Sequence, residues 1–274
     1  MHGEADPERL ILRLCRELID QCPAEVGPTQ LKILGSLRGV RRYHSRPIHT
    51  GTGCSGLLVS YDGGYEITVH AGEPAARQNF SVAHEIVHTY FREACLGCLT
   101  SSAQERLCDI GAAELTMPSE RFSTAVASWG LTLAGIDRCA AEFAVSFEAA
   151  ARRSVSLTSY PACVLIAVGS ARAERTPAQL RPDERQQVLQ VVKSWRSRTW
   201  PSGASNDKFA IEPESLIAQA YSHQDQRHGR IALGIASRPD IYEIQARGYA
   251  YPLPGKPGHQ QVVALVRTAA ALAG

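Results

Sequence analysis

Apolar positions recur along this chain in two rhythms, one of three to four residues and one of two, and the switches between them outline its elements. Leu10, Leu14 and Leu18, with Ile11 and Cys15 beside them, follow Asp6-Pro7. That is the pattern of a helix capped by an aspartate and opened by a proline, ending near Asp20. Pro28-Thr29 opens a second short helix to Leu37, and Arg38, Arg41, Arg42 and Arg46 after it read as a solvated basic rim. Residues 56–61 and 65–70 are rich in β-branched and aromatic side chains around Asp62-Gly63-Gly64, which predicts a β-hairpin. Helical spacing resumes with Phe80, Ala83, Val87 and Phe91, predicting a helix over 73–92, and a further helix over 101–115 that Met117-Pro118 stops. Short helices are expected over 122–129, 131–143 and 146–154, then a buried strand over 162–169. A polar, proline-bearing stretch at 170–181 reads as a boundary. Beyond it the pattern predicts helices at 183–193 and 212–221 and strands at 231–236, 241–249 and 261–266. The expected class is α+β: a small sheet with paired helices over 1–120, a helical segment over 121–160, and a mixed α/β domain over 161–274.

Composition narrows the field. With 44% apolar and 20% charged residues in 274, a packed core is expected. A net charge of +2, from 29 basic against 27 acidic side chains, is too small to draw nucleic acid or anionic lipid by itself. The N-terminus lacks a charged-then-apolar leader pattern, and the apolar runs at 162–169 and 262–266 are too short to span a bilayer, so a cytoplasmic protein is expected. Eight scattered cysteines fit reduced thiols in that compartment.

The chemistry lies in His84-Glu85-Ile86-Val87-His88. On a helix, an i, i+4 separation stacks two imidazoles on one face, where both can reach one ion, while Glu85 is rotated by about 100°. It is then placed to hold a water on that ion and act as general base. A catalytic zinc site needs a third protein ligand and an open position, and Glu105, seventeen residues after His88 on the next helix, is the best candidate. Asp109, one turn further on, could accept the outer N–H of a ligating histidine. Tyr90, Tyr65, His70 and Arg77 are candidates for stabilising the oxyanion or holding substrate, and the sequence does not choose among them. The hairpin offers an edge along which an extended peptide could lie.

Competing readings are specific. Ser102 and Glu105 also have the spacing of a capping box, which would only start a helix. Cys95 and Cys98 could join Cys108 in a second metal or redox site, but with a single C-x-x-C they read as simple thiols. His223 and His228 show no partner pattern and read as surface residues.

Residues 77–88, ending in His84-Glu85-Ile86-Val87-His88, and residues 105–118, ending in Met117-Pro118, resemble the ImmA/IrrE family of bacterial metallo-endopeptidases. The resemblance implies a zincin-like core with His84, His88 and Glu105 as ligands of zinc, with manganese the alternative, and Glu85 as the catalytic acid/base. It places Asp109 where thermolysin-like enzymes keep a carboxylate behind a ligating histidine. Phe143-Ala144-Val145-Ser146 with Ala149, Arg152 and Arg153 looks like the family's helix-turn-helix-like element. The resemblance is good over about 29–153. The C-terminal part is similar, less specifically, to longer members, some of which carry a GAF-like sensor domain. Cys95, Cys98, Cys108 and Gly111 depart from the family pattern.

The resemblance implies a limited regulatory cut in a protein substrate, a separate helix-turn-helix (XRE-type) repressor, that releases stress, mobile-element or defence genes. Two rivals remain. One is a zinc-stabilised binding module or transcriptional regulator without proteolysis, in which direct DNA contact through Arg38–Arg46 is the lesser option. The other is a toxin–antitoxin or antiphage protease with a different target.

Overall fold

The Asp6 carboxylate accepts the backbone N–H of Glu8 at 3.0 Å and opens helix α1 (Pro7–Asp20), whose buried stripe is Ile11, Cys15 and Leu18. Helix α2 (Pro28–Leu37) follows and leads into strands β1 (Val40–Arg46), β2 (Gly56–Tyr61) and β3 (Gly64–His70). These strands form one sheet in the order β1-β3-β2, with β1 parallel and β2 antiparallel to β3. Helix α3 (Ala75–His88) tightens into a 3-10 turn over Thr89–Arg92, and α4 (Ser101–Thr116) returns against it. Ile11, Leu34, Ile67, Ile86 and Leu115 have no exposed surface and tie α1, α2, the sheet, α3 and α4 into one core. The computed structural model describes residues 6–22, 28–48, 55–92, 99–170, 188–201, 210–211, 214–233, 240–253 and 256–268. Among them are eight α-helices and two sheets, a mixed α+β architecture. No helix among the described residues is long and apolar enough to cross a membrane.

Helices α5 (Ser119–Trp129), α6 (Leu133–Glu142) and α7 (Phe147–Leu157) lead to strand β4 (Ala162–Ser170). The second sheet adds β5 (Val188–Arg196), β6 (Ala210–Ile211), β7 (Gln226–Leu233), β8 (Asp240–Leu253) and β9 (Lys256–Thr268), in the antiparallel order β6-β5-β4-β9-β8-β7. Helix α8 (Leu216–His223) packs Ile217, Ala220 and Tyr221 into that sheet's core. The chain divides into two compact units, one running to Ser128 with Asp137–Ala150, the other made of Trp129–Ile136 and the chain from Ala151 onward. Within the second unit, Arg267 donates to the Leu131 carbonyl at 2.6 Å and the Gln245 side chain accepts from the Leu133 N–H at 2.9 Å, which ties residues 129–136 to the sheet.

Two expectations need correction. The helix expected over 183–193 is strand β5 from Val188, where Leu189 and Val191 are buried and Gln190 and Val192 exposed. Alternating burial and pairing with β4 outweighed the helical reading, and residues 183–187 lie outside the described set. The basic stretch after Arg38 keeps Arg41, Arg42 and Arg46 exposed, as a solvated rim does, but it is also strand β1, whose Arg42 and Arg46 reach Glu66 on β3 at 3.9 and 3.4 Å. At the start of α4, Thr100 is the cap, its hydroxyl accepting from the Ala103 N–H, which disfavours the competing capping-box reading of Ser102 and Glu105 and leaves Glu105 to face α3.

A candidate metal centre between two helices

Ala83, Ile86 and Val87 are fully buried and fix the rotation of α3, so that His84 and His88, one turn apart, are left partly exposed toward α4. Their Nε2 atoms are 3.2 Å apart. From α4, Glu105 brings Oε2 to 3.1 Å from Nε2 of His84 and Oε1 to 3.4 Å from Nε2 of His88. A tetrahedral ion with zinc-like bond lengths spaces its donors by about 3.3 Å. The three side chains therefore already have the mutual separations that such an ion requires.

Their proton inventory points the same way. Asp109 sets Oδ1 3.1 Å from Nδ1 of His84. A carboxylate there makes Nδ1 the protonated nitrogen of a neutral ring and turns the Nε2 lone pair inward. That lone pair then faces a second imidazole nitrogen and a carboxylate, an arrangement relieved by a shared cation. Protons respond accordingly. Burial draws the His84 pKa down, but the Asp109 hydrogen bond and the charges of Glu85, Asp109 and Glu105 outweigh it and hold the pKa above its ordinary value. Burial and the neighbouring His84 lower His88, against Glu105. The residues fit a divalent cation.

Glu85 lies on the same helix but is turned toward the sheet and is only 8% exposed. Burial, with Glu105 nearby, pushes its carboxyl up to about 7, against His84 and a backbone hydrogen bond from Leu58. That bond places the carboxylate where α3 meets β2, the edge strand of the sheet. Contact is so close that a Cβ on Gly56 would stand 2.7 Å from Oε1 of Glu85.

Residues expected near the chemistry divide. His84, His88, Glu85, Glu105 and Asp109 come together. Tyr90 does not: it is 5% exposed, donates to the Leu14 carbonyl at 3.2 Å, and carries the Arg38 guanidinium 3.9 Å over its ring, so it packs as a core residue. Tyr65 stands at the turn end of the hairpin beside Gly39. The Nδ1 of His70 accepts from the Ile48 N–H at 2.9 Å, at the far end of β3. Arg77 is exposed two turns before His84 on α3. Cys108 was expected to be a simple thiol, yet its sulfur and donor atoms of His84 and His88 lie within 4.8 Å of one another. The available signal was its position three residues after Glu105, on the same face of α4. Burial, followed by the charges of Glu105, Glu85 and Asp109, pushes that thiol's pKa upward. Cys95 and Cys98 lie outside the described residues.

Residues 47–154 match the IrrE N-terminal-like domain, a peptidase family. Over those residues the chain is similar to that peptidase domain. The family is one of metal-dependent peptidases, and the matched segment contains the sheet edge, α3 and α4. Among solved structures, a Mycobacterium tuberculosis transcriptional regulator is similar in fold at a TM-score of 0.62, with 14% identity, over 98% of this chain and 78% of that one. No curated protein sequence matches the chain.

Proposed function

We propose that this chain is a zinc-dependent endopeptidase of the ImmA/IrrE type that makes a limited regulatory cut in a helix-turn-helix repressor. The reading is carried by the convergence of His84, His88 and Glu105 at 3.1–3.4 Å, with Asp109 behind His84, inside an IrrE N-terminal-like domain. His84, His88 and Glu105 hold the ion, manganese being the alternative to zinc. Bound zinc supplies the positive charge that acidifies a water and polarises a peptide carbonyl. Glu85, with its raised pKa, takes the proton of that water and passes it to the leaving amine. Asp109 keeps the His84 ring in the tautomer that the ion needs. An extended substrate lies along β2, the edge strand of the described sheet, which brings its backbone past Glu85. Arg77, Tyr65 or His70 remains the candidate donor to the oxyanion.

On this reading residues 1–120 are the zincin-like catalytic domain, α5 to α7 within 121–160 the helix-turn-helix-like segment, and 161–274 a GAF-like sensor that gates the site in the cytoplasm. Cutting the repressor releases stress, mobile-element or defence genes. The test is metal analysis of purified protein beside a cleavage assay against the helix-turn-helix protein encoded nearest to it. Glu85→Gln should keep the metal and lose cutting. The transcriptional regulator among its structural neighbours favours one rival, a zinc-stabilised regulator without proteolysis. That rival predicts full function in Glu85→Gln.

A further inference from the structure

Cys108 has no exposed surface and stands on the face of α4 that carries Glu105. It belongs to the buried core with Ile86, Val87 and Leu107, where a thiol packs as a small apolar group, but it also borders the two candidate histidine ligands. Its sulfur shares a space no wider than 4.8 Å with donor atoms of both His84 and His88. Glu105 approaches Nε2 of the same two histidines at 3.1 and 3.4 Å. Three nitrogen or oxygen donors and one sulfur therefore gather around the pair of imidazoles. We propose that Cys108 is a fourth donor to the ion held by His84, His88 and Glu105, and that the resting centre is closed. This rests on the metallopeptidase reading and adds to it.

The consequence follows from coordination chemistry. A tetrahedral ion with four protein donors has no position for water, the arrangement of structural rather than catalytic sites. Binding forms one metal–sulfur bond and releases the thiol proton to solvent. The thiolate has to leave before substrate and water can enter, so the intact protein rests latent. Sulfur also makes the centre thiophilic, favouring zinc, cobalt or cadmium over manganese.

Cobalt(II) loaded into the full-length chain tests this directly, because a thiolate donor adds a sulfur-to-cobalt charge-transfer band that nitrogen and oxygen donors do not give. The parent should bind one cobalt and show the band. Cys108→Ala and Cys108→Ser should keep the cobalt, lose the band, and cleave the repressor at least several-fold faster than the parent. Cys15→Ala is the control: Cys15 packs against Gly111 from α1 and should leave the band intact. Stoichiometric cobalt without the band in the parent, or a band that survives loss of Cys108, overturns the proposal and leaves the metallopeptidase reading standing. Failure of the parent to bind cobalt or zinc at all overturns both. A band present in the parent with no faster cleavage after Cys108→Ala overturns the closed resting state.

Discussion

His84 divides its two nitrogens between an acid and an ion site, and that division can be tested alone. Asp109→Asn retains an oxygen that can accept from Nδ1 but removes the charge that favours this tautomer. Zinc affinity should fall roughly 10- to 100-fold by chelator competition; unchanged affinity would mean that Asp109 is an ordinary surface acid. Glu85 carries a second test, in metal-free protein. Its folded pKa of about 7 lies above the unfolded value of 4.5, so the folded state binds this proton more tightly. Its contribution is therefore most favourable at low pH and is lost as pH rises from about 4.5 through 7. The loss is on the order of 3 kcal/mol. Chelated Glu85→Gln should gain thermal stability over the parent at pH 8 and little or none at pH 4; an equal difference at both would refute the assignment. The two histidines and Glu85 were legible because helical spacing aims them at one ion and its water, whereas Glu105 followed from the need for a third ligand and from the family resemblance. Cys108 was missed because its relevance depends on how closely α4 approaches α3, which no local spacing states. Tyr90 was offered beside Tyr65, His70 and Arg77 without a choice among them, because spacing does not state that its hydroxyl meets the Leu14 carbonyl and its ring the Arg38 guanidinium.

At the scale of elements, the site depends on how near β2 comes to α3. Gly56→Ala would put a Cβ 2.7 Å from Oε1 of Glu85, and the carboxylate, the free end of a flexible side chain, should yield before the backbone does. The expected result is a fall in kcat of roughly 100-fold, from a displaced base, with a melting temperature close to that of the parent. A large loss of stability instead would show that Gly56 serves packing and not the placement of Glu85. The hairpin and the ligand helices were readable because period and turn chemistry agree there: alternating β-branched residues around Asp62-Gly63-Gly64, then apolar residues at helical spacing. Strand β1 was not readable, because Arg41, Arg42, His44 and Arg46 give it the surface of a solvated segment. Edge strands carry such charge to resist unwanted pairing, and here Glu66 on β3 receives two of the guanidinium groups. Strand β5 was misread because Val188, Leu189, Val191 and Val192 satisfy a helical spacing as well as an alternating one, and only pairing with β4 decides between them.

Across the whole molecule, the two units differ in a way that lets each be followed separately. All three tryptophans, Trp129, Trp195 and Trp200, fall in the second unit, so indole fluorescence reports that unit alone. The described first unit is dominated by helices and contains every candidate ligand, so the far-ultraviolet helical signal mainly reports the proposed metal centre. A ligand that binds only the folded state stabilises by an amount set by its concentration over Kd, about 4 kcal/mol at a thousandfold excess. Stripping the ion with a chelator should thus lower the melting transition seen in the helical signal by several degrees and leave the fluorescence transition in place. Zinc added back should restore it, and His88→Ala should make the helical transition indifferent to both treatments. If both transitions shift together on chelation, the units unfold as one cooperative body. If neither shifts while the chain demonstrably holds zinc, the ion is bound somewhere other than between α3 and α4.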